Sequence, residues 1–247
     1  GFSVEMAPDL FVGGALNFWG GKDDYTYQFQ ELDEPYDIWL FSDTTSTEQI
    51  VTEFSGINLT LSAFYRYEEQ FHFGGTIVTP LTLKSDEDWS YYDVLNWDDG
   101  TSLIYEDNGS ITYKVQFPWL FRFGGAAYFG PLMVAGDVEF ADYSQIKFTT
   151  DPPAGNLTQS GANLEIKRNL KNIMNFHFGG EVRVPRTGIK LRAGYASNPS
   201  PFQDAPADWD RNVISFGGGL AASEQFEFNI VVAMGSGNNA VGGDITR

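Results

Sequence analysis

The 247-residue chain has no cysteine, so a disulfide framework, a thiolate metal site and a cysteine nucleophile are all excluded. Basic residues are scarce: 15 Lys and Arg stand against 33 Asp and Glu, a formal net charge of -18. Phosphate binding draws on clusters of Lys and Arg, and without them nucleic acid is not a partner. No apolar run reaches the roughly 18 residues of a transmembrane helix. Histidine occurs only twice, at His72 and His177, too few for a shared metal site without further ligands. The opening GFSVEMAPDLF lacks the basic start and apolar core of a signal peptide.

What the chain has in abundance is aromatic residues, at 16%, and glycine, at 27 positions. Its mean hydropathy of -0.24 is wrong for a helical membrane protein but right for a β-barrel, in which only alternate residues meet lipid. The stretch from Gln116 to Phe148 shows the pattern best. Trp119, Phe121, Phe123, Gly125, Ala127 and Phe129 share one side of a predicted strand, with Arg122, Gly124, Ala126 and Tyr128 on the other. After a tight Gly130-Pro131 turn, Val134, Gly136, Val138 and Phe140 oppose Asp137, Glu139 and Ala141. The apolar side persists for about ten residues per arm, the length a tilted strand needs to cross a bilayer.

The same alternation runs through Phe2–Met6, Leu10–Trp19, Ile57–Tyr67, Phe71–Val78, Leu164–Val184, Gly188–Ala196, Asn212–Ala222 and Gln225–Met234, giving about ten strands. The segments Glu31–Glu53 and Pro80–Gly109 read as long acidic loops, the second aromatic and with strand extensions around Leu103 to Tyr105, and 150–162 and 197–211 read as loops too. Two regularities stand out. The motif F-x-F-G-G recurs at Phe71, Phe121 and Phe176, about fifty residues apart. Tight turns at 7–9, 68–70, 130–131, 185–188 and 223–224 alternate with the long segments, the asymmetry of an outer-membrane barrel. The Gly-Gly pairs follow strand residues and open no helix, so they are not phosphate loops. No Ser-His-Asp arrangement can be defended. The fold class expected is therefore all-β, an antiparallel transmembrane β-barrel with short periplasmic turns and long extracellular loops. Residues 1–247 are expected to form a single domain of it.

In Pro118-Trp119 leading into F-x-F-G-G-A-A-Y, in the run from Val134 to Ser144, in Leu191-Arg192-Ala193-Gly194-Tyr195 followed by Asn198-Pro199-Ser200-Pro201, and in Asp210-Arg211 to Leu220, the sequence resembles the FadL/TodX family. These are outer-membrane transporters of long-chain fatty acids and other hydrophobic compounds. The resemblance implies a monomeric barrel in the bacterial outer membrane, surrounded by outer-membrane lipid and lipopolysaccharide, that takes up a hydrophobic small molecule. It implies no enzyme activity and no cofactor. The family's Gly-, Ala- and Asn-rich N-terminal plug has no counterpart in residues 1–20, and no final strand with a terminal aromatic follows Arg247. The expectation is a chain incomplete at both ends, and the family's gating residues are not carried over.

On strand parity, Arg66, His72, Arg122, Asp137, Glu139, Glu181, Arg183, Lys190, Arg192 and Glu227 fall on the side away from lipid, as lumen-lining candidates. Two readings of them are open: mutual ion pairing inside the barrel, or direct guidance of a ligand. The two histidines occupy equivalent repeat positions, which accounts for them without a metal. Two further function classes stand beside transport. One is a non-transporting structural or assembly barrel that presents acidic loops to a partner. The other is a soluble all-β binding protein, which would bury Phe121, Phe140 and Phe228 in a core.

Overall fold

Alternation with period two builds one antiparallel sheet in the computed structural model, which describes residues 1–34, 38–153, 155–223 and 226–237. The strands are β1 (Phe2–Ala7), β2 (Leu10–Leu32), β3 (Phe41–Tyr67), β4 (Phe71–Val78), β5 (Thr82–Trp97), β6 (Ser102–Gln116) and β7 (Leu120–Phe129). They continue with β8 (Leu132–Asp142), β9 (Lys147–Phe148), β10 (Asn172–Arg183), β11 (Ile189–Asn198), β12 (Arg211–Ser223) and β13 (Phe226–Ser236). Among the described residues an α-helix, α1 (Gln159–Asn169), lies between β9 and β10. Spatial order runs from β1 through β2 and β3, then β4, β7, β8, β10, β11, β12 and β13. Among the described residues the sheet does not close on itself, because β1 pairs only with β2 and β13 only with β12.

The long β3 explains how thirteen strands make ten tracks. Its residues 60–67 pair with β4, and 41–57 pair with β5 along the same edge. β4 and β5 are thus one strand interrupted at Thr79-Pro80-Leu81, and β7 and β6 are one strand interrupted at Phe117-Pro118-Trp119. A proline cannot donate to the ladder, which places both interruptions. Between Thr60↔Val78 and Ile57↔Thr82, three steps on β3 face four on its neighbour. The interruption is a bulge of one residue. The β6/β7 strand takes the same step, since Val78↔Leu120 and Thr82↔Gln116 keep the two neighbours in register.

The acidic segments are not loops as expected. Glu31–Glu53 is the last two residues of β2, the connection 33–40, of which 35–37 lie outside the described residues, and the upper half of β3. Pro80–Gly109 is β5, the turn at 98–101 and most of β6. The Thr44–Thr47 tract misleads: Thr and Ser look loop-like, but β-branched Thr fits a pleated surface, and Thr44 and Ser46 hydroxyls donate to Asp93 Oδ1 across the sheet at 3.1 and 2.8 Å. At the tip of the β5–β6 hairpin the Thr101 hydroxyl donates to Asp99 and holds that carboxyl below the usual carboxylate range. The expected strand from Leu164 is also corrected. Residues 159–169 are α1, started by the Thr158 side chain, which accepts from Gly161 N. The Asn163 amide fastens it to the sheet: its Oδ1 accepts from Phe148 N at 2.7 Å and its Nδ2 donates to Phe148 O at 3.0 Å. β9 in turn pairs Phe148 with Val115 at the lower end of β6.

The tight turns fall where expected between β1 and β2, β3 and β4, β7 and β8, and β10 and β11. Gly130, with φ at 59°, supplies the left-handed residue of the third. The turn expected at 223–224 runs into residues outside those described.

A single sheet leaves both faces uncovered. The accessible surface is 17085 Å², whereas a compact soluble monomer of 27.5 kDa exposes roughly 11,000 Å². Ala141 and Ala162 are the buried apolar residues among those described. Such a sheet is stable only where something other than water meets one of its faces.

Candidate functional site

Register decides what each face carries. Across eight neighbouring strands Tyr65, Phe73, Gly125, Gly136, Phe178, Tyr195, Ile214 and Met234 pair in one transverse row. This apolar face is exposed, with Phe73, Phe123, Phe178 and Phe216 each more than half accessible. Its mid-section holds a shallow apolar hollow of about 690 Å³ between Phe73, Phe178 and Phe216, formed where Gly125, Gly136 and Gly180 carry no side chain.

All ten sequence-chosen residues lie on the opposite face. The register pairs Arg66 with His72, Arg122 with Glu139, Asp137 with His177, Glu181 with Arg192, and Arg183 with Lys190; Glu227 is paired with Ala221 on β12. Nine of them are brought into ion pairs. Arg122 pairs with Glu139, whose second oxygen accepts from Asn175 Nδ2 at 3.0 Å. Asp137 meets His177 at 2.7 Å. Glu181, only 7% exposed, accepts from both Arg183 and Arg192 at 2.7 Å. Arg192 also reaches Asn229 and Glu227, and Lys190 meets Glu227 at 2.6 Å. Arg66 stands apart, 3.3 Å from Asp9 and 5.0 Å above the Phe11 ring. Among the described residues His72 has no ion-pair partner; it packs between rings, 5.6 Å from Phe64 and 4.9 Å from Tyr128.

Sequence reasoning missed what happens above the interruption. β2 and β3 run in unbroken register from Leu10↔Tyr65 to Leu32↔Asp43, so each keeps its faces throughout. On the side that is apolar below, they present Lys22, Asp24 and Gln49, with Lys22 near Glu53 at 4.0 Å and Gln49 donating to Asp24 at 2.9 Å. On the other side they present Trp19, Tyr25, Tyr27, Phe29 and Phe54. The one-residue bulge brings β5 and β6 into line with this exchange. Lys84, Asp86 and Thr112 join the charged side, while Trp89, Tyr91, Tyr105 and Tyr113 join the aromatic one. The row Tyr25, Ile50, Trp89, Gly109 crosses all four strands, and a Cβ on Gly109 would fall 2.8 Å from the Trp89 indole that covers it. The sheet therefore swaps its polar and apolar sides at the level of Pro80 and Pro118. The signal was present in the alternating Leu103, Tyr105, Ile111, Tyr113 and Val115, hidden by acidic neighbours.

At that level Asn58, 8% exposed, accepts from Asn17 at 3.0 Å and from the Trp19 indole at 3.1 Å. With Thr60, Thr79 and Leu120 these groups line a hollow of about 490 Å³ on the polar face. Nearer the tight turns, Phe64, His72, Tyr128, Gly74, Gly124 and Arg122 line another of about 530 Å³.

No family model and no curated protein matches the chain. Solved structures do. A Pseudomonas aeruginosa FadL homologue superposes with a TM-score of 0.58 at 12% identity, over 94% of this chain and 56% of that one. The P. putida toluene transporter TodX gives 0.52 at 14% identity over 94% and 60%, and the Ralstonia pickettii toluene transporter TbuX 0.51 at 14% over 96% and 66%. The fold is thus the all-β antiparallel wall of a FadL-type barrel, and the chain spans between half and two thirds of the length of these structures.

Proposed function

We propose that the chain forms most of the wall of a monomeric outer-membrane β-barrel, a single domain without enzymatic chemistry, that takes up hydrophobic small molecules. The observation that carries this is the exchange of faces. Below Pro80 and Pro118 the apolar face suits lipid and the ion-paired face suits a polar interior. Above them, β3 runs on through residues 41–57, well past the ten or so that a bilayer needs. There the outward side is charged, matched to water and lipopolysaccharide, and the side continuous with the interior is aromatic. A barrel that only presented acidic residues to a partner would have no use for aromatic side chains turned inward. A wall that collects apolar molecules from outside and leads them to its lumen does. The fold shared with a FadL homologue and with two toluene transporters supports this use of the wall.

Replacing Trp89 and Tyr25 by Ser is expected to lower uptake of radiolabelled toluene or long-chain fatty acid by cells several-fold, with the amount of inserted barrel unchanged. Unchanged uptake of both compounds would remove the proposal. The same reading sets the orientation. Protease added to intact cells is expected to cut in the 98–101 turn or within 151–158, and to spare 184–188, because consecutive connections of an antiparallel wall alternate sides. Cleavage confined to 184–188 would reverse the orientation.

A further inference from the structure

Basic residues form no cluster along the sequence, but the register gathers lysines on the outward side just above the exchange of faces. Lys84 on β5 is paired directly with Lys114 on β6, which sets two like charges opposite one another at a cost to the sheet. Lys147 on β9 pairs with Gln116, two residues from Lys114 on the same side of β6, a diagonal separation of about 7–8 Å. Lys84 meets Asp86 at 2.6 Å. Lys114, Lys147 and Lys167 have no ion-pair partner among the described residues. In a chain of net charge -18, unpaired cations gathered beside a like-charge pair call for an anion.

The patch borders a cavity of about 680 Å³ lined by Gln116, Trp119, Ser144, Lys147, Asn163 and Lys167. Leu81 and Ala141 line the hollow on the polar face, whereas their neighbours Pro80 and Asp142 line this one, so it opens on the outward side. The carboxylate in its lining, Asp142, is already engaged by the Ser144 hydroxyl at 2.6 Å and by Gln145 Nε2 at 2.9 Å. Directly below, the outward face is apolar. Trp119, 44% exposed, stacks on Phe121 at 6.3 Å and 19°, and Phe121 meets Phe140 at 6.4 Å; an amphipathic indole at such a boundary suits a membrane interface. Lys147, level with Gln116, and Lys114 stand two and four residues beyond Pro118, about 7 and 13 Å along the strand and less along the membrane normal once the strand tilts. That is the level of the headgroup layer, roughly 5–8 Å deep, which follows the end of the hydrocarbon.

We infer that this patch binds a phosphorylated, acylated glycolipid of the outer leaflet, the lipid anchor of lipopolysaccharide, with its phosphates on Lys114, Lys147 and Lys167 and its acyl chains against Trp119, Phe121 and Phe140. The inference rests on the apolar face being the lipid side of the wall. It assigns a partner to the outside of the barrel, independent of what passes through it. A free phosphate would gain from the lysines but not from the aromatic surface below them.

The test is native mass spectrometry of the whole protein in dodecyl maltoside, titrated with diphosphoryl lipid A, with the same lipid stripped of both phosphates, and with inorganic phosphate as competitor. Saturable binding of diphosphoryl lipid A is expected, about tenfold or more tighter than that of the stripped lipid. Lys114→Gln combined with Lys147→Gln should weaken it by about tenfold, and Lys114→Arg combined with Lys147→Arg should retain it. Arg186→Gln, which removes a positive charge at the tight-turn end of the wall, should leave it unchanged. Without lipid, Lys114→Gln should unfold at no lower urea concentration than wild type, because it relieves the pair with Lys84. Equal binding of the two lipids, undiminished binding by the glutamine variant, or displacement of lipid A by millimolar phosphate overturns the site. Uptake is read separately: if it ignored the replacement of Trp89 and Tyr25 while lipid A bound as expected, the transport reading alone would fall.

Discussion

Phe123→Arg is expected to destabilise the membrane-inserted sheet by roughly 2–4 kcal/mol, the cost of a basic side chain on the lipid side near the bilayer midplane. Phe123 lies in the middle of β7, paired with Gly75 on one side and Val138 on the other, and is 56% exposed. Its ring sits against Gly75, where a Cβ would already fall 3.3 Å away. An arginine therefore loses that packing and has no acidic neighbour on its face to pair with. Ala126→Ser, three residues on and on the polar face, should change stability little. Reversible urea unfolding in lipid vesicles reports both. Equal tolerance of the two substitutions would show that the apolar face does not meet lipid.

The half of the wall below the two prolines was legible in the sequence because one solvent condition governs each side of every strand. Apolar side chains at alternate positions on one side, such as Phe121, Phe123, Val138 and Phe140, fix parity, so that all ten charged or titratable candidates land on one face. The upper half was not legible, because the condition itself is exchanged along β2 and β3, and because Pro80 and Pro118 look like the ends of strands. In fact the paired one-residue bulges continue them. Helix α1 was misread for a different reason: it has one buried residue, Ala162, and is defined by Thr158 and Asn163 hydrogen bonds and not by an apolar stripe. Which acidic residue pairs with which basic one was also beyond parity, since that depends on register across strands distant in sequence, such as Glu181 with Arg192 and Lys190 with Glu227.

That register leads to the second large effect, expected at Arg192. Glu181 is nearly enclosed, and its carboxylate depends on two guanidinium groups, Arg192 and Arg183, whose side chains are 36% and 63% accessible. Removing one partner from a buried charge costs more than removing the pair, because the remaining ion keeps its desolvation penalty without its attraction. Arg192→Met should therefore destabilise the sheet clearly, by less than a fully enclosed pair would because Arg183 remains and water reaches the site. Glu181→Gln should cost less, about 1–2 kcal/mol, since the two arginines it releases are partly hydrated and Arg192 retains Glu227 and Asn229. The double variant should then be more stable than Arg192→Met alone, a coupling that a double-mutant cycle of unfolding free energies measures directly. Additive losses would mean that the paired charges contribute nothing as a unit. Recovery in the double variant would show that the ion pairs on this face chiefly neutralise one another.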